Sequence, residues 1–213
     1  GAGRSLEEAI APWVAEVGEV RVGFLAAADP RYGAAAPDRP GTFPADASLL
    51  RDALRSLVTR ADLICVTIHM GIEFTRVPSG RMRELADLCL AEGASVVGFH
   101  HAHCVSGATN RDRGVILWGM GNFAMPAILP HRFRPWSEGA VWLVDLEAGS
   151  RRAQLTGVRP LELDAAGMPR PAGRQVDARI RKTIARWSTR AERAGGGRIA
   201  LSVASPRYLR LVL

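Results

Sequence analysis

The chain has 213 residues, 47% of them hydrophobic and 23% charged, which supplies a core for one globular domain or slightly more and excludes disorder and fibrous repeats. Its formal charge of +7 is unevenly spread: residues 1–150 carry 14 Lys or Arg against 17 Asp or Glu, and residues 151–213 carry 14 against 4. The basicity therefore belongs to the C-terminal third. Nucleic-acid binding is not expected from it, because no RNP-like, helix-turn-helix or zinc-finger pattern accompanies the arginines.

In chain order, Val20 to Ala27 is a β-branched and small apolar run closed by Asp29-Pro30, which predicts a buried strand ending in a turn. Gly33 to Pro44 holds three prolines and two glycines, too punctuated for either regular period, and predicts a rim loop of a site. Leu50, Ala53, Leu54, Leu57 and Val58 recur with helical spacing behind Asp46 or Ser48 as a cap, so the next element is an amphipathic helix. Leu63 to Ile68 is a continuous apolar strand. Met82, Leu85, Ala86 and Cys89 mark a second helix, and Ser95 to Phe99 a further strand. This alternation predicts a layered α/β core with largely parallel, buried strands.

After Gly98 the rhythm changes. Val115 to Trp118, Val141 to Leu146 and Gln154 to Leu163 are strands joined by turns, which predicts a mixed or antiparallel sheet. Asp177 to Arg193 is a third helix, with Ile180, Ile184, Trp187 and Ala191 on one face. Gly195 to Gly197 breaks the chain before an apolar tail, Ile199 to Leu213. No apolar run reaches the roughly 18 to 20 residues of a spanning helix, so the stretch is expected to be soluble, with its compartment open. Cys65, Cys89 and Cys104 lack C-x-x-C spacing and are expected as buried thiols.

The chemistry concentrates in histidines. His69 directly follows the strand LICVTI, and His100, His101 and His103 directly follow the strand SVVGF. Strand ends of open α/β sheets are where ligands bind, and rigid sheet edges fix the directions of metal-ligating imidazoles. A His-x-His loop can send His101 and His103 to one side with Ala102 turned away. Glu73, four residues after His69, stands where a metal ligand, a carboxylate holding an imidazole tautomer, or a general acid would be placed. Asn122, between glycines and Phe123, is placed to donate a hydrogen bond to a phosphate or carboxylate.

Three segments, TIHMGIE (Thr67 to Glu73), VVGFHHAHCVSG (Val96 to Gly107) and ILWGMGNFAMP (Ile116 to Pro126), resemble the H-x-G-x-E, G-H-H-x-H and S-L-G-N-F signatures of the CapA-like, or poly-γ-glutamate capsule-synthesis (PGA_cap), proteins of the calcineurin-like metallophosphoesterase superfamily. GAGRSLEEAIAPWV resembles the family's stretch before a middle strand, and the resemblance covers about residues 1–165. It implies an α/β/β/α metallophosphoesterase-like sandwich with mixed sheets, incomplete at its N-terminus. The family's earlier Asp-containing strand end, acidic second motif and Asn-Asn-His motif precede the Gly-Ala-Gly stretch and have no counterpart here. Residues 166–213 are expected as a basic helical and strand extension packed on that domain.

By motif, the resemblance implies that His69, His101 and His103 are metal ligands of a centre that is dinuclear in a complete domain, with zinc, manganese or iron as the ion. His101 is preferred to His100 as first ligand of its motif because it gives the H-x-H spacing. His69, Glu73 and His101 are the expected catalytic residues; Asn122 and His100 are the expected substrate-binding ones. The implied activity is hydrolysis of a phosphoester, or action on a poly-γ-glutamate-type polymer, by metal-activated water. The alternative is a non-catalytic component of a capsule-synthesis complex that binds an anionic polymer. Family relatives often carry an N-terminal membrane anchor, for which this stretch has no segment.

Overall fold

The computed structural model describes residues 1–112, 114–126, 134–193 and 209–212. In chain order its elements are β1 (Ala2–Gly3), α1 (Leu6–Ile10), β2 (Trp13–Val17), β3 (Val20–Ala28), β4 (Gly41–Thr42), α2 (Ala47–Leu57), β5 (Leu63–His69) and α3 (Gly80–Ala91). They continue with β6 (Val96–His100), β7 (Ala108–Asn110), β8 (Val115–Leu117), α4 (Arg134–Ser137), β9 (Glu138–Glu147), β10 (Arg152–Leu163), β11 (Pro169–Pro171), α5 (Arg174–Arg193) and β12 (Leu209–Val212).

Six strands form one sheet in the order β2-β3-β5-β6-β8-β7, and four form a second in the order β11-β10-β9-β12. The centre of the first, β3-β5-β6-β8, is parallel, while β2 and β7 add antiparallel edges. The second sheet is antiparallel throughout. The mixed α/β architecture is therefore the expected one. The mixed sheet expected after Gly98 is also found: β8 pairs parallel with β6 and antiparallel with β7, the short strand that returns the chain to the same end.

Strand alternation sorts the core into two layers. On β5, Ile64, Val66 and Ile68 pack with α2 and α3, whereas Leu63 and Cys65 face the second sheet. On β9, Ala140, Trp142, Val144 and Leu146 are the matching inward residues. Helix α2 buries Leu50, Ala53, Leu54 and Leu57, and α3 buries Met82, Leu85, Ala86 and Cys89, the stripes expected from their spacing. Asp46 is the cap of α2, accepting from the backbone N–H of Ser48 and Leu49, and Ser79 caps α3. The long helix α5 lies against β7 and β10 and sends Ile180 and Ile184 into the layer between the sheets.

Several short elements escaped the sequence. Helix α1 is only five residues and is held by a Ser5 cap. Strand β2 turns back onto β3 through Gly18 at φ 62°, a left-handed position glycine takes without a Cβ clash. Helix α5 starts at Arg174 instead of Asp177. Gly195 to Gly197 and most of the tail Ile199 to Leu213 lie outside the described residues; Leu209–Val212 pairs with β9. Cys65, Cys89 and Cys104 are buried free thiols as expected. Among the described residues no helix is long and apolar enough to cross a membrane.

Candidate functional site

The parallel register aligns Ala28, His69 and His100 as neighbours at the ends of β3, β5 and β6. By alternation, His69 shares the face of Leu63 and Cys65, and His100 that of Val96, so both imidazoles stand at the mouth of the layer between the two sheets. His69 Nδ1 lies 3.0 Å from His100 Nδ1, and His69 Nε2 lies 3.1 Å from His101 Nδ1. Three imidazoles therefore form a contact chain with His69 in the middle.

After β6 the backbone bends sharply. His101 and His103 have φ of 109° and 53°, conformations that L-residues rarely adopt and that cost on the order of 1–3 kcal/mol each. The bend buries Ala102 between them and is braced by the loop after β5, whose Met70 N–H donates to His100 O and whose Phe74 N–H donates to Ala102 O. His103 does not join the His69 chain: its Nδ1 is 2.8 Å from Asn122 Oδ1, and its ring packs 4.8 Å from that of Trp136.

Asn122 is buried, and its Nδ2 donates to Trp136 O at 2.8 Å, so both ends of the amide are used within the protein. Asn122, expected to meet substrate, thus contacts His103 and the Trp136 carbonyl. Its position depends on two glycines, since Gly121 at φ 73° bridges Gly139 of β9 and a Cβ on Gly139 would overlap the Asn122 carbonyl. His100, also expected at substrate, is turned onto His69. Glu73 is exposed, and its charge acts to raise the pKa of His101.

Burial disfavours the charged form of His69, His100 and His101. Burial, joined by repulsion from His69, His101 and His103, pushes His100 down to about 4. Burial and then His101 and His103 lower His69, and burial and then His103 lower His101. Neutral imidazole is the metal-binding state. The 3.1 Å separation of His69 Nε2 and His101 Nδ1 is close to the ~3.3 Å edge of a tetrahedral site with bonds of about 2.0–2.1 Å. Donor chemistry and spacing thus fit a divalent ion at this pair. The triad expected from the motifs is not gathered, and among the described residues no group of three or more His, Cys, Asp or Glu side chains is arranged to hold a metal ion.

Two further participants come from the loop after β3. Tyr32 presents its hydroxyl 2.7 Å from His101 Nε2, with its ring edge-on to His69 at 5.1 Å. Asp29, directly after Ala28, pairs with Arg31 at 2.8 Å, and that guanidinium holds its carboxyl below the ordinary value. The sequence marked Asp29-Pro30 as a turn and the following Gly33 to Pro44 as a rim loop, and assigned neither Asp29 nor Tyr32 to the site. The signal was available, because Asp29 to Tyr32 follow a parallel strand end just as His69 does.

Comparison with known proteins agrees with these motifs. The family model "Bacterial capsule synthesis protein PGA_cap" matches residues 1–127. The PGA biosynthesis protein CapA of Bacillus subtilis is 31% identical over 90 residues, which is 42% of this chain and 24% of that protein. The capsule biosynthesis protein CapA of Bacillus anthracis is 35% identical over 63 residues, covering 30% of this chain and 15% of that protein. The match thus spans a quarter or less of these relatives. Among solved structures, a Staphylococcus aureus protein assigned as a 5'-nucleotidase, in complex with α-ketoglutarate, superposes with a TM-score of 0.45 at 14% identity, over 83% of this chain and 33% of that one. A phosphatase from Mycoplasma pneumoniae superposes with a TM-score of 0.48 at 10% identity, over 80% of this chain and 59% of that one.

Proposed function

The chain belongs to the bacterial capsule synthesis protein PGA_cap family, and we propose that it acts in capsule or poly-γ-glutamate biosynthesis as a metal-dependent hydrolase of the metallophosphoesterase type. In this reading His69 Nε2 and His101 Nδ1 would hold one divalent ion, zinc, manganese or iron, and His103, which lies apart from this pair, would serve the second ion of a dinuclear centre. Such an ion, when bound, lowers the pKa of a coordinated water and offsets charge that develops on a phosphoryl or carbonyl oxygen.

The protein's own groups have separable tasks. His100 orients the ring of His69 through its Nδ1, and Asn122 engages Nδ1 of His103, which leaves Nε2 as that ring's nitrogen for a ligand. Glu73, at the exposed mouth, is the candidate proton donor to a leaving group. The substrate class is an anionic phosphoester or a γ-linked polyglutamate.

The observation that carries this reading is the meeting of His69 and His101 at 3.1 Å on adjacent strand ends, where burial lowers the pKa of both. Elemental analysis after loading with zinc or manganese tests it, together with hydrolysis of bis-p-nitrophenyl phosphate and of poly-γ-glutamate. Near-stoichiometric metal that falls to background in His69→Ala and His101→Ala is expected. Metal content and hydrolysis unchanged in both variants would overturn the reading.

A second reading is favoured by the exposed cations of α5, Arg181, Lys182, Arg186 and Arg190, within a C-terminal third that is strongly basic. It makes the chain a non-catalytic anionic-polymer-binding component of a capsule-synthesis complex. Poly-γ-glutamate binding that weakens with salt and persists after chelation of metal is the outcome it requires.

A further inference from the structure

The three contacts that link Tyr32, His101, His69 and His100 run in series, at 2.7, 3.1 and 3.0 Å. Each neutral imidazole carries one N–H and one lone pair, whereas a tyrosine hydroxyl both donates and accepts. Only two arrangements place one hydrogen in every contact. In the first, Tyr32 donates to His101 Nε2, His101 Nδ1–H donates to His69 Nε2, and His69 Nδ1–H donates to His100 Nδ1. In the second, every bond is reversed and Tyr32 Oη accepts from His101 Nε2–H. A third arrangement leaves the lone pairs of His69 Nε2 and His101 Nδ1 facing each other, which is favourable only with a cation between them. There too, His101 Nε2–H needs an acceptor, and Tyr32 is in place.

We propose that Tyr32 is the positioning residue of the histidine cluster: its hydroxyl selects the tautomer of His101 and, by turning from donor to acceptor, frees His101 Nδ1 to ligate a divalent cation together with His69. No net proton is taken up or released in this change. One hydrogen passes from Nδ1 to Nε2 of His101, and the hydroxyl rotates. The inference rests on the metal-site reading above and adds to it a residue outside all three family-like motifs.

The local structure holds Tyr32 firmly. Pro30 to Tyr32 form a single helical turn capped by the Asp29 side chain and ended by Gly33 at φ 80°. The turn is pinned to the site by Asp29 N–H donating to His69 O at 2.9 Å and by Thr42 N–H donating to Gly33 O at 2.8 Å. Tyr32 is 41% exposed, so its position comes from this turn and from its two ring contacts.

Tyr32→Phe isolates the hydroxyl, because the ring that packs edge-on to His69 is retained. The test compares the two chains at pH 8 by zinc titration, by 15N imidazole NMR without metal, and by thermal unfolding. Zinc affinity about tenfold weaker in Tyr32→Phe, with shifted His101 ring-nitrogen signals and an unchanged unfolding midpoint, is expected; loss of such an outer partner costs roughly 10- to 100-fold. Equal zinc affinity, or weaker affinity with His101 signals unmoved, overturns the proposal. If the parent chain takes up no zinc, the metal reading fails separately, and the metal-free spectra still decide: His101 signals that move on removal of the hydroxyl support the positioning role, and signals that stay overturn it.

Discussion

The two arms of the site are built by different means. The His69-His100-His101 arm is set by one sheet, since parallel pairing of β5 with β6 puts two imidazoles side by side and a sharp bend brings the third. The His103-Asn122-Trp136 arm is set between the sheets, because Asn122 sits where Gly121 bridges Gly139 of β9 and Trp136 belongs to α4, which leads directly into that strand. The first arm inherits the rigidity of a buried hydrogen-bonded ladder. The second depends on how closely two sheets approach, which is a property of side-chain packing. A disturbance of the layer between the sheets should therefore reach His103 before it reaches His69.

Trp142→Ala is the strongest way to break this difference. Trp142 is fully buried in that layer, and its loss should cost about 3–5 kcal/mol. Chemical denaturation measures the cost. In the fraction that remains folded, NMR of His103 should change while the His69 and His100 signals hold; equal change in both arms would remove the distinction.

Asn122→Ala is narrower. It leaves His103 Nδ1 and the Trp136 carbonyl without their partner in a buried setting, at a cost of about 1–3 kcal/mol. The expected result is a lower unfolding midpoint and averaged His103 tautomers, with the contacts of His69 retained. An unchanged His103 spectrum would mean that Trp136 alone positions the ring.

The smallest effect is a pH dependence belonging to the other arm. In the metal-free chain, His100 has its folded pKa lowered to about 4 by burial and neighbouring imidazoles, against an ordinary value near 6.5. Between those values the unfolded chain binds more protons than the folded one, so stability is fully present above about pH 6.5 and is lost as pH falls toward 4. Unfolding midpoints measured across that window should decline with acidification. His100→Gln should flatten the decline, and a profile left unaltered by that variant would place the dependence elsewhere.

Much of the scaffold was legible in the sequence because its periods are strong. The stripes Leu50 to Leu57 and Met82 to Cys89 are buried as their spacing requires, and the apolar runs at Leu63 and Val96 form adjacent parallel strands. Elements of two to five residues, such as α1, β7 and β11, carry too few positions for a period to show. They exist because neighbouring segments offer hydrogen-bond partners: β7 to β8, and β11 to β10. The direction of β8 was left open between mixed and antiparallel pairing for the same reason, as strand direction is a property of the partner.

For the site, the sequence by itself determined the chemical inventory and its address: four histidines, Glu73 and Asn122 at or beyond strand ends. Local pattern decides that much, since an apolar run followed by a polar residue and a turn specifies where a strand stops. Only the tertiary structure decided the pairings. It set His100 against His69, gave Asn122 to His103, left Glu73 at the rim, and brought Tyr32 to His101 across 69 positions of sequence. Such contacts depend on sheet register, on the sign of φ at His101 and His103, and on the distance between two sheets. Those quantities are fixed by the packing of the whole core and are written in no single segment.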